Sequence, residues 1–128
     1  MADHARPDLK AHAHAMRAPF AQVACELRAL VGAGLVAYIA AVSETRAVHQ
    51  WAEGTRTPSE QTQRRLRFAL RVARPIAEAD SAEVAQAWFQ GLNPQLDDCA
   101  PARMLRDGDL DEVGPVIVAA ERAFLIGA

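Results

Sequence analysis

Residues 42–58 read VSETRAVHQWAEGTRTP, and the reading of this stretch decides the fold. Ser43 is a natural N-cap, and Val48 and Trp51 lie three apart, so both face one side of a helix running to about Ala52. Thr45, Arg46, His49 and Gln50 fall largely on the other side. Gly54 stops the helix, and Pro58 prevents it from resuming at once. Just upstream, the short apolar run LVAYIAAV fills residues 35–42. Further upstream, Pro19 opens a segment in which Phe20, Val23, Leu27, Leu30 and Val31 recur at helical spacing, with Gly32 and Gly34 as its stop.

Two short helices joined by a tight turn, with a third before them, are the outline of a helix-turn-helix core whose second helix enters the major groove. The rest of the composition agrees with helices. Apolar residues make up 51% of the 128, aromatics only 5%, and the β-branched clusters of strands are missing, so an all-α fold is expected. This length suits one compact domain or two small lobes sharing a core. No apolar run approaches the roughly 20 residues needed to span a bilayer, and MADHARPDLK has no apolar signal core. The expected location is the cytoplasm, with no membrane partner. Cys25 and Cys99 are far apart and form no C-x-x-C pair, which reads as small buried hydrophobes rather than a disulfide or a metal site.

Charge is informative by segment. Residues 1–43 carry four Lys/Arg against three Asp/Glu, residues 44–74 seven against three, and residues 75–128 three against ten. A cationic middle and an acidic end point to two different partners. Residues 1–18 mix charges, histidines and alanines without a clear apolar period and read as a flexible N-terminal arm. His12 and His14, at i and i+2 with no third ligand, make a poor metal site, and no metal is expected.

Here the chain resembles the Xre-type helix-turn-helix family, on Val36, Ala37, Val42, Ser43, Val48, Trp51, Gly54 and Pro58. Ala41 departs from the glycine the family usually has at the turn, and alanine tolerates a left-handed turn poorly. Carried over by position, Glu44, Thr45, Arg46 and Gln50 would reach base edges, with His49 beside them. Arg46 offers paired donors to guanine, Gln50 a donor and acceptor to adenine, and Glu44 can only accept from cytosine. A long helix from about Ser59 to Ala79 follows, with Leu66, Ala69, Leu70, Ala73 and Ile76 on one face. Arg64, Arg67, Arg71 and Arg74 are spaced 3, 4 and 3 apart, a stripe at about 100° per residue, with Arg56 and Arg65 nearby. Such a stripe either bonds phosphates, with Arg56, Arg64, Arg67 and Arg71 as the candidates, or is solvated, or pairs with the acidic half.

In the acidic half, Ser81 caps a short helix with Val84, Trp88 and Phe89. Asn93-Pro94 forces a turn, Pro101 opens a brief helix with Met104 and Leu105 inward, and Gly108 ends it. Asp109 or Asp111 caps a last helix with Val113, Ile117, Ala120 and Phe124 as its stripe and Pro115 in its first turn. Trp88, Asn93, Leu96, Pro101, Leu105, Gly108, Val113 and Phe124 resemble the toxin-binding domain of the Xre/MbcA/ParS antitoxins, so the resemblance covers about residues 20–128.

The resemblance implies a type II antitoxin: an Xre-like helix-turn-helix domain at 19–79 packed with a small helical toxin-binding domain at 80–128. Its partner would be a RES-type toxin that degrades NAD, whose pocket the antitoxin's C-terminal end blocks, and the helix-turn-helix would repress its own operon by binding operator DNA. The chain would act as a homodimer within a larger assembly, with no cofactor and no catalysis of its own. Trp88, Asn93, Leu96 and Pro101 would hold the toxin, with Glu121, Arg122, Phe124, Leu125, Ile126, Gly127 and Ala128 as the plug. Positive groups gathered for a pyrophosphate also attract carboxylates, which suits the acidic half. Alternatively, Phe124 and Leu125 pack on the chain's own core or across a homodimer. The rival function is a stand-alone Xre-type repressor. An enzyme fares badly, with no Gly-rich phosphate loop, no metal spacing and no nucleophile with an evident base.

Overall fold

The computed structural model describes residues 7–127, which among themselves form eight α-helices and no strand. They are α1 (Pro7–Arg17), α2 (Phe20–Val31), α3 (Ala33–Ala40), α4 (Thr45–Glu53), α5 (Glu60–Ala79), α6 (Ala82–Gln90), α7 (Pro101–Asp107) and α8 (Leu110–Gly127), with a 3-10 turn at Pro94–Leu96. The all-α expectation holds.

Local chemistry sets most boundaries. Ser59 and Ser81 each accept a hydrogen bond from the N–H three residues on, at 3.2 and 3.1 Å, and so cap α5 and α6. Asn93 accepts from Gln95 N–H at 2.9 Å and opens the 3-10 turn, while Pro101 supplies the preset φ of the first turn of α7. Asp97 and Asp98 both adopt left-handed backbone after that turn, a role short acidic side chains tolerate. Between α2 and α3 the chain bends by 119° through Gly32, whose φ of 89° and ψ of 148° are closed to residues with a side chain. Gly34, expected to help stop α2, instead lies inside α3. Pro115 is the sixth residue of α8, beyond the first turn where it was expected.

α5 is the axis of the molecule and packs against α1, α2, α3, α6 and α8. Its buried face, Leu66, Ala69, Leu70, Ala73 and Ile76, meets Val23, Leu27 and Val31 of α2 and Phe89 of α6 in a core that continues to Leu105 and Ile117. One apolar cluster therefore spans both sides of the sequence boundary at residues 79 and 80. Burial of this kind stabilises by roughly 25 cal/mol for each Å² of apolar surface removed from water. No single described helix is long and apolar enough to cross a membrane.

Three expectations are corrected. Residues 7–17 form a helix rather than an arm, with Ala11, Ala15 and Ala18 buried against the rest; small side chains at i, i+4 and i+7 let it approach α5 closely. Residues 1–6 lie outside the described residues. His14 is half-buried and paired rather than loose on an arm: its Nε2 lies 2.8 and 3.0 Å from the two carboxylate oxygens of Glu26, which also takes Gln22 at 2.9 Å and Arg74 at 3.3 Å. Partial burial pushes the Glu26 carboxyl up, but the hydrogen bonds from Gln22 and His14 and the charges of His14 and Arg74 outweigh it and hold the group below its usual range. Finally, Cys25 is exposed and Cys99 half-buried, both as free thiols, so Cys25 is no core hydrophobe.

Candidate functional site

Two surfaces of opposite chemistry remain open. The first is α4 and the turn before it. α3 ends with Ala41 in the left-handed region, φ 60° and ψ 37°, where Val42 N–H bonds Ala37 O and Ala41 N–H bonds Tyr38 O, each at 3.0 Å. α4 ends in the same pattern, with Gly54 in the left-handed position, Thr55 N–H on Gln50 O at 3.0 Å and Gly54 N–H on Trp51 O at 3.1 Å. The turn at Ala41 thus has the left-handed form that a glycine would take without strain. It consumes residues 41 and 42, so α4 starts one residue later than expected: Glu44 is the N-cap, makes no side-chain cap bond, and Ser43 stands outside the helix.

Ala47, Val48 and Trp51 of α4 are buried, with the Trp51 ring edge-on to Phe20 at 6.4 Å. This fixes the opposite face. Glu44, Thr45, Arg46 and His49 are exposed and Gln50 is half-buried. A polar cleft of about 600 Å³ runs along this face, lined by Ser43, Glu44, Arg46, Gln50 and Arg56 among others. Arg56 donates to Gln50 Oε1 at 3.4 Å, and on the other flank Arg28 of α2 lies 2.9 Å from His49 Nδ1. The structure therefore brings Glu44, Arg46 and Gln50 together, and it sets Arg56, grouped in the sequence with the α5 stripe, beside them. It adds Arg28, which lies 21 residues before His49 and carries no sequence signal linking the two.

The α5 stripe is different. Arg67 donates from Nη1 to Ala15 O at 3.0 Å and Ala18 O at 2.6 Å, with its guanidinium 5.9 Å from the centre of the Phe20 ring. Arg74 holds Glu26 and Glu78. Arg71 lies over Phe68 at 5.7 Å, and Arg64 pairs with Asp111 at 3.1 Å while largely exposed. Arg65 donates to Ile39 O at 3.3 Å and Arg106 of α7 to Tyr38 O at 3.2 Å, so two guanidiniums cover the carbonyl end of α3. Of the pairing alternatives, internal partners take Arg67 and Arg74, and Arg64 pairs with the acidic half through Asp111. Arg67 is corrected from an open stripe residue to the clasp of α1.

The second surface is apolar. Trp88, Leu92, Pro94, Ala120, Ala123 and Phe124, with Asn93, line a groove of about 400 Å³ between α6, the 3-10 turn and α8. Trp88 packs edge-on against Phe89 at 5.4 Å and tilted against Phe124 at 6.4 Å. Leu92, which sequence reasoning passed over as a turn residue, is 76% exposed at its rim, and Ile126 is 87% exposed on the last turn of α8. Leu96 lies in the core, Pro101 is buried and Glu121 is 3% exposed, so these three are corrected from surface contacts to interior residues, and Trp88, although it lines the groove, is buried as well. Phe124 and Leu125 are half-buried against the core, whereas Arg122 and Gly127 are exposed. Ala128 lies outside the described residues. No protein-family model matches the chain, and no curated protein or solved structure matches it.

Proposed function

We propose that the chain is a type II antitoxin: α3 and α4 act as an Xre-like helix-turn-helix on operator DNA, and the C-terminal half holds a RES-type NAD-degrading toxin in check. The observation that carries this reading is the pairing, on one small chain, of a polar arginine-bearing helix face with a separate apolar groove. Exposed cationic and amide groups suit nucleic acid, whereas a groove rimmed by an exposed leucine suits a protein partner. The resemblance over residues 20–128 supplies the identity of both partners.

In this reading α4 lies in the major groove with Arg46 on guanine, and Gln50 exchanges its contact with Arg56 for an adenine edge. Arg56 and the exposed Arg64 meet phosphate without reading sequence. Two copies of the chain place two such helices on half-sites about one helical turn apart. On the apolar side, Trp88, Asn93 and Leu92 form the seat, and Ile126 and Gly127 with Arg122 make up the part of the C-terminal end that reaches outward. The chain contributes no chemistry; it occupies the toxin's pocket.

The test is co-expression with the product of the adjoining gene, purification through a tag on this chain, and measurement of NAD loss with and without it. A stable complex that suppresses NAD loss supports the antitoxin. Removal of residues 126–128, which leaves Phe124 and Leu125 in the core, should restore NAD loss if the terminal end is the plug; unchanged suppression would sink that assignment. A second reading, a stand-alone repressor, is favoured by the burial of Glu121 and the packing of Phe124 and Leu125, which build the last helix into the fold. Absence of any complex, together with salt-dependent binding to the chain's own promoter, would establish it.

A further inference from the structure

We infer that Arg28 sets the tautomer of His49, so that the His49 Nε2–H donates to an acceptor on a base edge, and that Arg28 positions this contact without touching the base. This rests on the nucleic-acid reading of α4. The geometry begins with Arg28 in the last turn of α2, whose Nη1 lies 2.9 Å from Nδ1 of His49, midway along α4. A guanidinium has five donors and no acceptor, so Nδ1 must accept and carries no hydrogen. The ring proton is then on Nε2. His49 is exposed, and Nε2 has no hydrogen-bond partner among the described residues.

The support beneath this pair is closely packed. α2 packs directly on α4, with Leu27 and Val48 both fully buried, and the other arm of Arg28 reaches Cys25 Sγ at 3.8 Å, one turn back on the same helix. The guanidinium is thus oriented from both ends. An imidazole free to choose its tautomer could offer a base either a donor or an acceptor, and so would discriminate little. Held by Arg28, it offers a donor only. The partner of matching chemistry is guanine, whose N7 and O6 are adjacent acceptors in the major groove, while the N4 amino group of cytosine at the same place would present donor to donor.

Two measurements test this. The first is ¹⁵N NMR of the histidine rings in the free protein: wild type should show an unprotonated Nδ1 at His49, Arg28→Leu a mixture of tautomers, and Arg28→Lys, which still donates, an intermediate result. A ring proton on Nδ1 in wild type would overturn the inference. The second is selection from a pool of randomised duplexes, followed by affinity measurement on the selected duplex. His49→Ala and Arg28→Leu should both lose roughly fivefold to tenfold of the preference at the same single base pair, as for one hydrogen bond. Replacing the guanine there by 7-deazaguanine should weaken wild type but leave His49→Ala unchanged. If Arg28→Leu instead weakens every duplex equally and flattens the salt dependence, Arg28 is a phosphate ligand and the positioning role falls. If wild type enriches no sequence while NMR shows the Nε2–H tautomer, the nucleic-acid reading fails and takes the base contact with it, leaving the Arg28–His49 pair intact.

Discussion

Two sets of arginines, one on α5 and one on and after α4, have the same chemistry and opposite circumstances. On α5, Arg67 and Arg74 are absorbed by the fold: one ties the carbonyl end of α1, the other completes a cluster around Glu26. Beside α4, Arg46 is exposed and Arg56 donates to the Gln50 amide oxygen. The α5 stripe is the more regular pattern in the sequence, yet it is the less available in the structure. A row of like charges on a helix becomes a binding surface only where no other element packs over it, and in this one the end of α1 packs over Arg67.

The largest test of that contrast is Arg67→Ala. It removes two hydrogen bonds from a charged donor to buried helix-end carbonyls and should destabilise the chain by about 2 kcal/mol in urea unfolding. Amide exchange in α1 should quicken before that in α2. An unchanged midpoint would mean that Arg67 does not clasp α1. By contrast, Arg64→Ala breaks only an exposed pair with Asp111 and should change stability by less than about 0.5 kcal/mol.

On the other side of the comparison, Arg46→Ala should leave the unfolding midpoint within about 0.5 kcal/mol of wild type, since the side chain is exposed. Its affinity for a promoter duplex should fall roughly tenfold or more, as for loss of a bidentate base contact. A drop in stability without a drop in affinity would reverse the roles assigned to the two sets of arginines.

A smaller effect lies in the turn that places α4. Ala41 and Gly54 occupy the same left-handed position at the ends of successive helices, and only glycine does so without strain. Ala41→Gly should therefore stabilise by about 1 kcal/mol, read as a raised thermal midpoint. A lowered midpoint would show that the left-handed geometry at Ala41 is wrong.

The smallest effect is a pH dependence at the α1 anchor. The folded pKa of Glu26 is lowered, so its ionised form contributes stability that is fully present above about pH 4.5 and is lost as pH falls through the lowered folded value. Glu26→Gln should flatten this acid-side loss. A variant whose stability falls as steeply as wild type over that range would exclude Glu26 as its source.

The sequence by itself determined the helices, because their causes lie within a turn or two of each residue. Ser59, Ser81 and Asn93 act on neighbours two or three residues away, Gly54 and Pro101 through their own backbone angles, and the apolar spacing of α2 and α5 names their buried faces. It also placed Arg46 and Gln50 on one face, since both lie on one short helix, whereas Arg56 was grouped with the α5 stripe and only the structure sets it against Gln50. Tertiary structure alone decided which charges stay open. Arg67 meets carbonyls 49 and 52 residues away, Arg74 meets Glu26 across 48, and Arg28 meets His49 across 21. It likewise buried Glu121 and turned the supposed arm into α1, whose alanines give only a weak hydrophobic period yet fit closely against α5. Periodicity and caps are local, whereas burial and ion pairing depend on what arrives from elsewhere in the chain.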